Sequence, residues 1–481
     1  MKILETLYAD AYKQNKPINN YSQLTGYNSK LPFISVYLVI ALLLSCTKVQ
    51  NTEPAVFAEG AMRATASKTN VIIIITDDIG YEVPAYTGGS SYYTPNIDNL
   101  ARNGMQFTQC YASPLCSPSR FMLFTGKYNF RNYVAWGKMP LSEKTIGNMM
   151  SDAGYATCIS GKWQFDGGDS AIHNFGFQKY MVWDPYYKSG SGSIRDSVGT
   201  GQYKNPKIYA DGNYLTNSVI ANKYGEDFFR QYLFDFIDSN ESKPFFAVWA
   251  MNLCHKNFSP TPDDPEFATW NSYRKPQTGD SIFFPSMVKY MDKQVGMLVS
   301  KLQQSGLDEN TIILFTSDNG TPPDIHSMYC GQMIQGQKGH TNYYGTHVPL
   351  IAYMPGSIQS GAVNNDLIDF TDFLPTLADL AHISIPDYGT IDGKSFEPAL
   401  NGIQGYARDW VYCYYYPHPE RSTMKAEWVN NKMNKLYGDN KGFFDTQEDP
   451  FEKYPIPYNM LTPEQQANKT EFENVLSQLH N

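Results

Sequence analysis

The hydrophobic positions of this chain fall into short apolar runs separated by longer amphipathic stretches. Residues 70–80 are NVIIIITDDIG, a β-branched run that ends in two acids and a glycine. Uninterrupted apolar runs of this length are typical of strands buried on both faces of a parallel sheet. Similar runs follow at residues 156–160, 244–251, 311–320 and 348–354.

The amphipathic stretches between these runs predict helices. They lie at residues 94–104, 142–154, 217–237, 285–306 and 368–381. Strands that alternate with helices predict an α/β sandwich around a large, mostly parallel central sheet. Ligands of such folds bind beyond the carboxyl ends of the strands. We therefore expect one edge of the sheet to gather the polar residues that follow two of the runs: Asp77, Asp78, Asp318 and Asn319.

The N-terminal region contains an apolar stretch at residues 31–44 that follows Lys30. This stretch is short for a membrane span and suits the hydrophobic part of a signal sequence. It continues into Leu-Leu-Ser-Cys46, which resembles a bacterial lipobox and implies cleavage before Cys46 and lipidation of that cysteine. We therefore expect an exported, periplasmic or cell-surface lipoprotein whose membrane contact is this lipid anchor. An ordinary signal peptide or a buried strand is the alternative interpretation.

Two further segments differ from the strand and helix pattern. Residues 184–214 are rich in Gly, Ser and Tyr without a helical period, so we expect a long loop or hairpin. After residue 405 short apolar segments predict an antiparallel sheet, and a Thr-Pro pair then opens a terminal helix. The chain is thus divided into a leader (1–46), a tether (47–68), a main domain (69–405) and a smaller C-terminal subdomain (406–481).

Composition narrows the possible function classes. The net charge is −9 and the chain has no block of Lys and Arg, which argues against nucleic acid as a partner. Seven cysteines are too few for a disulfide scaffold in 481 residues, and none of them forms a CxxC pair.

The segment CSPSR at residues 116–120 is the first candidate for chemistry. Ser117 can cap a helix and Pro118 suits its first turn, so Cys116 should lie just before a helix amino terminus. The amide groups and the dipole there favour an anion, and Arg120 can point back to the same place. Cys116 is therefore a candidate nucleophile beside an anion site. A buried structural cysteine or a disulfide with Cys110 are the alternatives.

The acids at the sheet edge are the second candidate. The segments DDIG and SDNG supply oxygen ligands of the kind that Ca²⁺ and Mg²⁺ prefer. Each segment alone is a weak signal, because acids often follow strands. Their order on either side of a CxPxR segment is far more specific.

These motifs together resemble the formylglycine-dependent sulfatases of the alkaline phosphatase superfamily. The resemblance covers about residues 70–405, and residues 393–400 and 443–453 resemble the C-terminal portion of the family. The matching segments are TDDIG (76–80), TPNIDNLARNG (94–104), CSPSR (116–120), TGKY (125–128), GYATCISGKW (154–163), TSDNG (316–320), GQKG (336–339), HVPLIAYMPG (347–356) and DFTDFLPTLADLA (369–381).

The resemblance implies an alkaline-phosphatase-like fold and a modified nucleophile. A maturation enzyme would oxidise Cys116 to formylglycine, whose hydrated aldehyde attacks the sulfur of a sulfate ester. A divalent ion, Ca²⁺ as the first choice and Mg²⁺ as the second, would stabilise the developing charge together with Arg120. The resemblance assigns the ligands of this ion to Asp77, Asp78, Cys116, Asp318 and Asn319.

The resemblance also assigns three further catalytic residues. Lys162 and Lys338 would hold sulfate or leaving-group oxygens, and His255 would protonate the leaving group, which suits a histidine near neutral pH. In the alternative interpretation, Lys162 and Lys338 are solvated side chains and His255 is a structural residue.

One position departs from the pattern of the family. Gln164 follows Lys162 and Trp163 where the family has a histidine that assists breakdown of the sulfated intermediate. A glutamine can hydrogen-bond but cannot accept a proton, so His173 or a water would have to do so. His326 and His340 could contact substrate or be surface residues.

Three hypotheses for function follow. The chain hydrolyses sulfate esters of a carbohydrate, or it uses the same site as a phosphonate monoester or phosphodiester hydrolase, or it is a catalytically impaired glycan-binding lipoprotein. The composition and the motifs favour the first.

Overall fold

The structure is a computed structural model that describes residues 68–183, 185, 201–403, 407–420 and 424–479. The predicted leader and all of the predicted tether except Lys68 lie outside the described residues. Within the described residues, no helix is both long enough and apolar enough to cross a bilayer.

The strands form a large sheet and two smaller ones. The central sheet contains β1 (Asn70–Thr76), β2 (Met105–Tyr111), β3 (Ala156–Lys162), β4 (Lys179–Trp183), β5 (Ile208–Ala210), β6 (Asn213–Tyr214), β7 (Phe245–Ala250), β8 (Thr311–Ser317), β11 (His347–Tyr353), β12 (Ala362–Asn364) and β13 (Ile368–Asp369). The others are β9 (His326–Tyr329), β10 (Gln332–Gln335), β14 (Val411–Tyr415), β15 (Ala426–Asn430), β16 (Asn434–Tyr437) and β17 (Phe443–Asp445).

The order of the central sheet is β12-β2-β11-β8-β1-β7-β3-β4-β5-β6, and β13 also pairs with β2. Most neighbours run parallel, and β11 and β5 are antiparallel to the strands on either side. All five predicted strands are present, so the predicted α/β fold is confirmed. The run at 348–354 is the antiparallel β11, and β2 was not predicted because Gln and Thr interrupt its apolar pattern.

Helices cover both faces of this sheet. They are α1 (Pro95–Asn103), α2 (Cys116–Thr125), α3 (Asn129–Asn132), α4 (Ile146–Asp152), α5 (Gly168–Asn174), α6 (Asn217–Ile220), α7 (Gly225–Asp238), α8 (Phe284–Gln304), α9 (Tyr343–Thr346), α10 (Phe373–Leu380), α11 (Glu397–Leu400) and α12 (Pro463–Leu479). On one face α1, α7 and α8 pack against the sheet, and on the other α2, α4 and α10 do.

The side chains of β1 point alternately to the two faces of the sheet, which explains these two layers. Ile72 and Ile74 belong to one buried cluster, whereas Val71, Ile73 and Ile75 belong to the other, and all five are fully buried. Full burial of each such side chain contributes about 1.5–3 kcal/mol. The β-branched run therefore fixes β1 at the centre of the molecule and its carboxyl end at a defined edge.

One predicted helix differs from the structure, and one predicted loop or hairpin is described in part. The helix predicted at 217–237 is interrupted between α6 and α7, where Asn222 adopts a left-handed backbone conformation with φ of 58°. The loop or hairpin predicted at 184–214 contains the hairpin β5–β6, which extends the central sheet, and residues 184 and 186–200 lie outside the described residues. Its turn is Asp211-Gly212, with φ values of 42° and 91°, a common turn sequence between two strands.

The C-terminal subdomain is the predicted antiparallel sheet, in the order β14-β15-β16-β17, followed by the terminal helix α12. Its residues Tyr412, Val429, Phe443 and Phe472 belong to the same buried cluster as the central sheet. The subdomain is therefore continuous with the main core. The boundary at residue 405 stays a prediction.

We expect Phe472→Ala in α12 to lower the free energy of unfolding by about 3 kcal/mol, because the buried Phe472 ring packs 6.4 Å from Phe443. Denaturant titration followed by circular dichroism measures this. The matched control is Glu473→Ala on the same helix, which removes an exposed side chain and should cost less than about 0.5 kcal/mol. If both variants lowered the free energy of unfolding equally, the result would contradict a core shared by the C-terminal subdomain and the central sheet.

Candidate active site

Two neighbouring parallel strands bring the predicted acids together. Asp77 and Asp78 follow β1, Asp318 and Asn319 follow β8, and the two strands pair in register up to their last residues. All four side chains are fully buried. The Asp78 backbone N–H donates to Asp318 Oδ1 (3.2 Å), and Asn319 Nδ2 donates to Asp78 Oδ1 (2.7 Å). The expected edge of the sheet is therefore one compact cluster of oxygen atoms.

Helix α2 supplies a buried arginine to this cluster. Arg120 donates from Nε (3.0 Å) and Nη2 (2.8 Å) to Asp318 Oδ2, and both side chains are almost completely buried. Its Nη1 donates to the backbone oxygen of Lys162 at 3.3 Å. The guanidinium thus joins the ends of β8 and β3 from the first turns of the helix.

Two lysines pair with the other acids. Lys162, at the end of β3, donates to Asp77 Oδ2 at 2.5 Å and is 3% exposed. Lys338, in the loop between β10 and α9, lies 2.6 Å from the Asp78 carboxylate. Sequence reasoning assigned these lysines to a sulfate group, and the structure places both in direct contact with the acids.

The loop after β7 brings His255 to the same place. Asp77 N–H donates to Leu253 O (2.8 Å), and Cys254 N–H donates to Asp77 O (2.6 Å). His255 Nε2 lies 3.9 Å from Asp78 Oδ2, and the side chain is 29% exposed. His255 therefore lies where the cluster is most exposed to solvent.

Cys116 is the first residue of α2, and its side chain is buried. The prediction that Ser117 caps this helix is wrong. The N-cap is Leu115, and Ser117 Oγ accepts a hydrogen bond from Gly137 N–H (3.0 Å) instead. Arg120 lies one turn further along the same helix.

The charges of this cluster balance. Three carboxylates, Asp77, Asp78 and Asp318, face three cations, Arg120, Lys162 and Lys338. Burial alone would lower the pKa of Lys162, but Asp77 raises it above the ordinary value. Burial and the nearby Lys338 lower the pKa of His255 well below its usual range, so this ring is neutral at pH 7. A divalent cation added to this neutral cluster would leave a net positive charge that favours an anion.

The donor set suits a hard cation. Asp77, Asp78 and His255 each offer a ligand atom within 4.8 Å of the others. Asp77 Oδ1 and Asn319 Oδ1 are buried and have no hydrogen-bond partner among the described residues. Buried oxygens without partners are costly unless a cation or a donor satisfies them. The residues therefore fit Ca²⁺ or Mg²⁺, which prefer carboxylate and amide oxygens.

The remaining candidates lie around or outside the cluster. Gln164 is buried two residues after Lys162, with a left-handed φ of 67°. His326 and His340 are exposed. His173 Nε2 lies 3.3 Å from Asp169 Oδ1 in the same helix, and its Nδ1 lies 2.9 Å from the backbone oxygen of Phe177.

Comparison with known proteins decides the family. The sulfatase family matches residues 69–383 of the chain. This chain belongs to the sulfatase family. A second family, N-sulphoglucosamine sulphohydrolase, C-terminal, matches residues 340–480. The family predicted from the motifs is thus confirmed, and the enzyme is a sulfuric ester hydrolase of a metal-dependent family.

Individual relatives agree with this assignment. N-acetylgalactosamine-6-sulfatase of Mus musculus is 30% identical over 408 residues, which are 78% of this chain and 74% of the relative. The solved structure of Ps i-CgsB in complex with k-i-k-neocarrahexaose superposes with a TM-score of 0.68 at 22% identity and covers 86% of this chain and 92% of that one. Phosphonate monoester hydrolase of Agrobacterium radiobacter shares the fold, with a TM-score of 0.62, 18% identity, and coverage of 86% and 95%.

The thiol of Cys116 is a poor nucleophile in this sulfatase. Burial raises its pKa, although Lys162 and Lys338 act in the opposite direction. A raised pKa leaves the thiol protonated at neutral pH, and the thiolate is the reactive form. Cys110 and Cys116 are both free, so the alternative of a disulfide between them is wrong.

Sequence reasoning missed two residues that position the site of this sulfatase. The Tyr203 hydroxyl lies 2.7 Å from Asn252 O and 2.8 Å from His255 O, so it holds the loop that carries the histidine. Thr321 Oγ1 accepts a hydrogen bond from Gly80 N–H at 3.0 Å and joins the segments after β1 and β8. Tyr203 lies in a segment without periodic pattern, and only its fully buried position in the fold reveals the role.

We expect Asp77→Asn to weaken Ca²⁺ binding about tenfold or more, because it replaces a carboxylate in the cluster with a neutral amide. Calcium titration of the chelator-treated protein measures the affinity. Asp263→Asn is the matched control, since Asp263 is half-exposed and pairs with Lys293 away from the cluster. Equal affinity of the wild-type protein and the Asp77 variant would show that the ion binds elsewhere.

Proposed function

We propose that this sulfatase hydrolyses sulfate esters of a carbohydrate and that Cys116, converted to formylglycine, is its nucleophile. The observation that carries the proposal is the balanced cluster of three acids and three cations beside the first turn of α2. Two relatives support the carbohydrate: one is named for N-acetylgalactosamine 6-sulfate, and one was solved with a neocarrahexaose.

The buried, protonated thiol supports a modified nucleophile. A thiol held in this state would attack sulfur slowly. An aldehyde at the same position adds water to become a geminal diol. One diol oxygen forms a bond to sulfur while the bond from sulfur to the sugar oxygen breaks, and the second hydroxyl then re-forms the aldehyde and releases sulfate. A maturation enzyme that oxidises Cys116 is the partner this proposal requires.

The ion of the proposal is Ca²⁺, with Mg²⁺ as the second choice. The residues that would hold it are Asp77, Asp78, Asp318, Asn319 and the modified Cys116. A bound divalent ion supplies electrostatic stabilisation of negative charge on the sulfate oxygens.

Arg120, Lys162 and Lys338 supply the remaining positive charge. Arg120 and Lys162 are buried, Lys338 is 15% exposed, and the acids keep all three charged. Their low exposure strengthens their attraction for an anionic group. They orient the sulfate group and balance the charge that develops during transfer.

His255 is the proton donor to the sugar oxygen. It is neutral in the substrate-free structure because burial and Lys338 lower its pKa. An anionic ester beside the ring raises this pKa. Its partly exposed position lets it reach a leaving group that enters from solvent.

The exported location is part of the proposal. The lipobox-like segment before Cys46 supports a periplasmic or cell-surface lipoprotein held by its lipid anchor.

A phosphonate monoester or phosphodiester hydrolase with the same site is the second candidate function, and the shared fold of the Agrobacterium enzyme favours it as an alternative. Gln164 motivates the third candidate, a glycan-binding lipoprotein without turnover.

We expect protein purified from its native host to carry the aldehyde at position 116 and to release sulfate from sulfated sugars. Mass spectrometry of the peptide with residue 116 detects the replacement of sulfur by oxygen together with the loss of two hydrogens, and ion chromatography measures sulfate. Cys116→Ala should abolish turnover without unfolding, whereas Cys330→Ala, at an exposed cysteine, should not change it. Faster release of phosphate than sulfate from esters of the same alcohol would favour the second candidate. Sugar binding without turnover by aldehyde-bearing protein would favour the third.

We expect Gln164→His to raise kcat by about tenfold or more if breakdown of the sulfated intermediate limits the rate, because an imidazole can accept the proton that an amide cannot. Histidine also tolerates the left-handed backbone at this position. Stopped-flow measurement separates the first turnover from the steady state, and Gln164→Asn is the matched control. A fall in kcat would show that the glutamine is suited to this substrate.

A further inference from the structure

The loop that carries Lys338 rests on the C-terminal sheet. Thr341 lies three residues after Lys338, and its backbone oxygen accepts a hydrogen bond from Lys435 Nζ in β16. The Thr341 hydroxyl lies 2.7 Å from the Tyr437 hydroxyl in the same strand. Both contacts join Thr341 to side chains of β16, a strand almost a hundred positions later in the chain.

Glu452 completes this buried cluster. Lys435 Nζ lies 3.0 Å from Glu452 Oε1, and the Tyr437 hydroxyl donates to Glu452 Oε2 at 2.5 Å. A phenol has one proton, so the Thr341 hydroxyl must be the donor to Tyr437. Lys435 also lies 4.3 Å from the centre of the Trp428 ring. The direction of every hydrogen bond at Thr341 is therefore defined.

Burying this cluster is costly. The side chains of Lys435 and Glu452 are 3% and 4% exposed. Buried ion pairs often stabilise a fold no better than apolar residues of the same volume would. Stability alone therefore does not explain a lysine and a glutamate here, but two directed contacts to one loop do.

The same sheet contacts the turn that carries Cys116. Leu115 packs against the buried cluster formed by Cys413, Tyr415, Ala426, Trp428, Tyr437 and Phe444. Gly339 N–H, next to Lys338, donates to Pro114 O at 2.9 Å. The C-terminal sheet thus touches both the nucleophile turn and the Lys338 loop, and these two segments also bind each other.

We propose that Lys435, Tyr437 and Glu452 are positioning residues that hold the loop of residues 336–342 so that the Lys338 ammonium lies against Asp78 and the Cys116 position. The inference rests on the proposed function, because it assigns these residues an effect on turnover through Lys338. They do not contact substrate.

Thr341→Val tests the proposal with little change in volume, because it removes the hydroxyl and keeps the backbone contact to Lys435. We expect a fall in kcat/KM of about fivefold, the size of one hydrogen bond, and Thr341→Ser should restore it. Tyr437→Phe should produce a similar or larger fall. Tyr412→Phe is the matched control in the same sheet, because the Tyr412 hydroxyl binds Glu427 at 2.9 Å and not the loop.

Two readouts separate positioning from a general loss of stability. In a Lys338→Ala background, Thr341→Val should cause no further fall in kcat/KM, because its effect passes through the lysine. Hydrogen exchange of the amides of residues 336–342 should quicken in Thr341→Val and Tyr437→Phe, with the central sheet unchanged.

Full additivity with Lys338→Ala, or unchanged exchange in the loop, would overturn the proposal. If the wild-type protein bearing the aldehyde hydrolyses no sulfate ester, the proposed function fails, and the exchange measurement alone then decides whether the C-terminal sheet holds the loop.

Discussion

The ion pairs at the carboxyl edge of the central sheet are the constraint on which the rest of this structure depends. Asp77, Asp78 and Asp318 are fully buried, and each unpaired buried charge would cost several kcal/mol. Arg120, Lys162 and Lys338 offset that cost, and they come from a helix, a strand end and a loop. The fold must therefore bring five separate segments of the chain to one place.

This balance also explains why the site suits its chemistry. The lysines and the arginine are charged without any substrate, so no proton has to move before an anion binds. Asp77 Oδ1 and Asn319 Oδ1, which have no hydrogen-bond partner in the described part of the chain, could bind a cation. Asp77 and Asp78 keep the two lysines charged although burial opposes that charge, and burial raises the pKa of the Cys116 thiol, which keeps it protonated. The protonated thiol agrees with our proposal that Cys116 is converted to an oxygen nucleophile.

The part of the site that follows strands could be predicted from the sequence, because apolar runs and the acids after them are local signals. Asp77, Asp78, Asp318 and Asn319 lie where the runs predicted, and Cys116, Arg120, Lys162, His255 and Lys338 join them. Contacts between distant segments leave no such signal. Ser117 was expected to cap α2 but binds Gly137. The spacing of residues along the chain could not reveal Tyr203, which contacts the backbone of His255, or Lys435, which binds the loop that carries Lys338.

The most direct measurement is a crystal structure of the Cys116→Ala variant soaked with Ca²⁺ and a sulfated monosaccharide, with anomalous scattering used to locate the ion. We predict the ion at the oxygens of Asp77, Asp78, Asp318 and Asn319. The sulfate group should contact Lys162 and Lys338 beside residue 116. An ion bound elsewhere, or a sulfate group outside this cluster, would contradict the account.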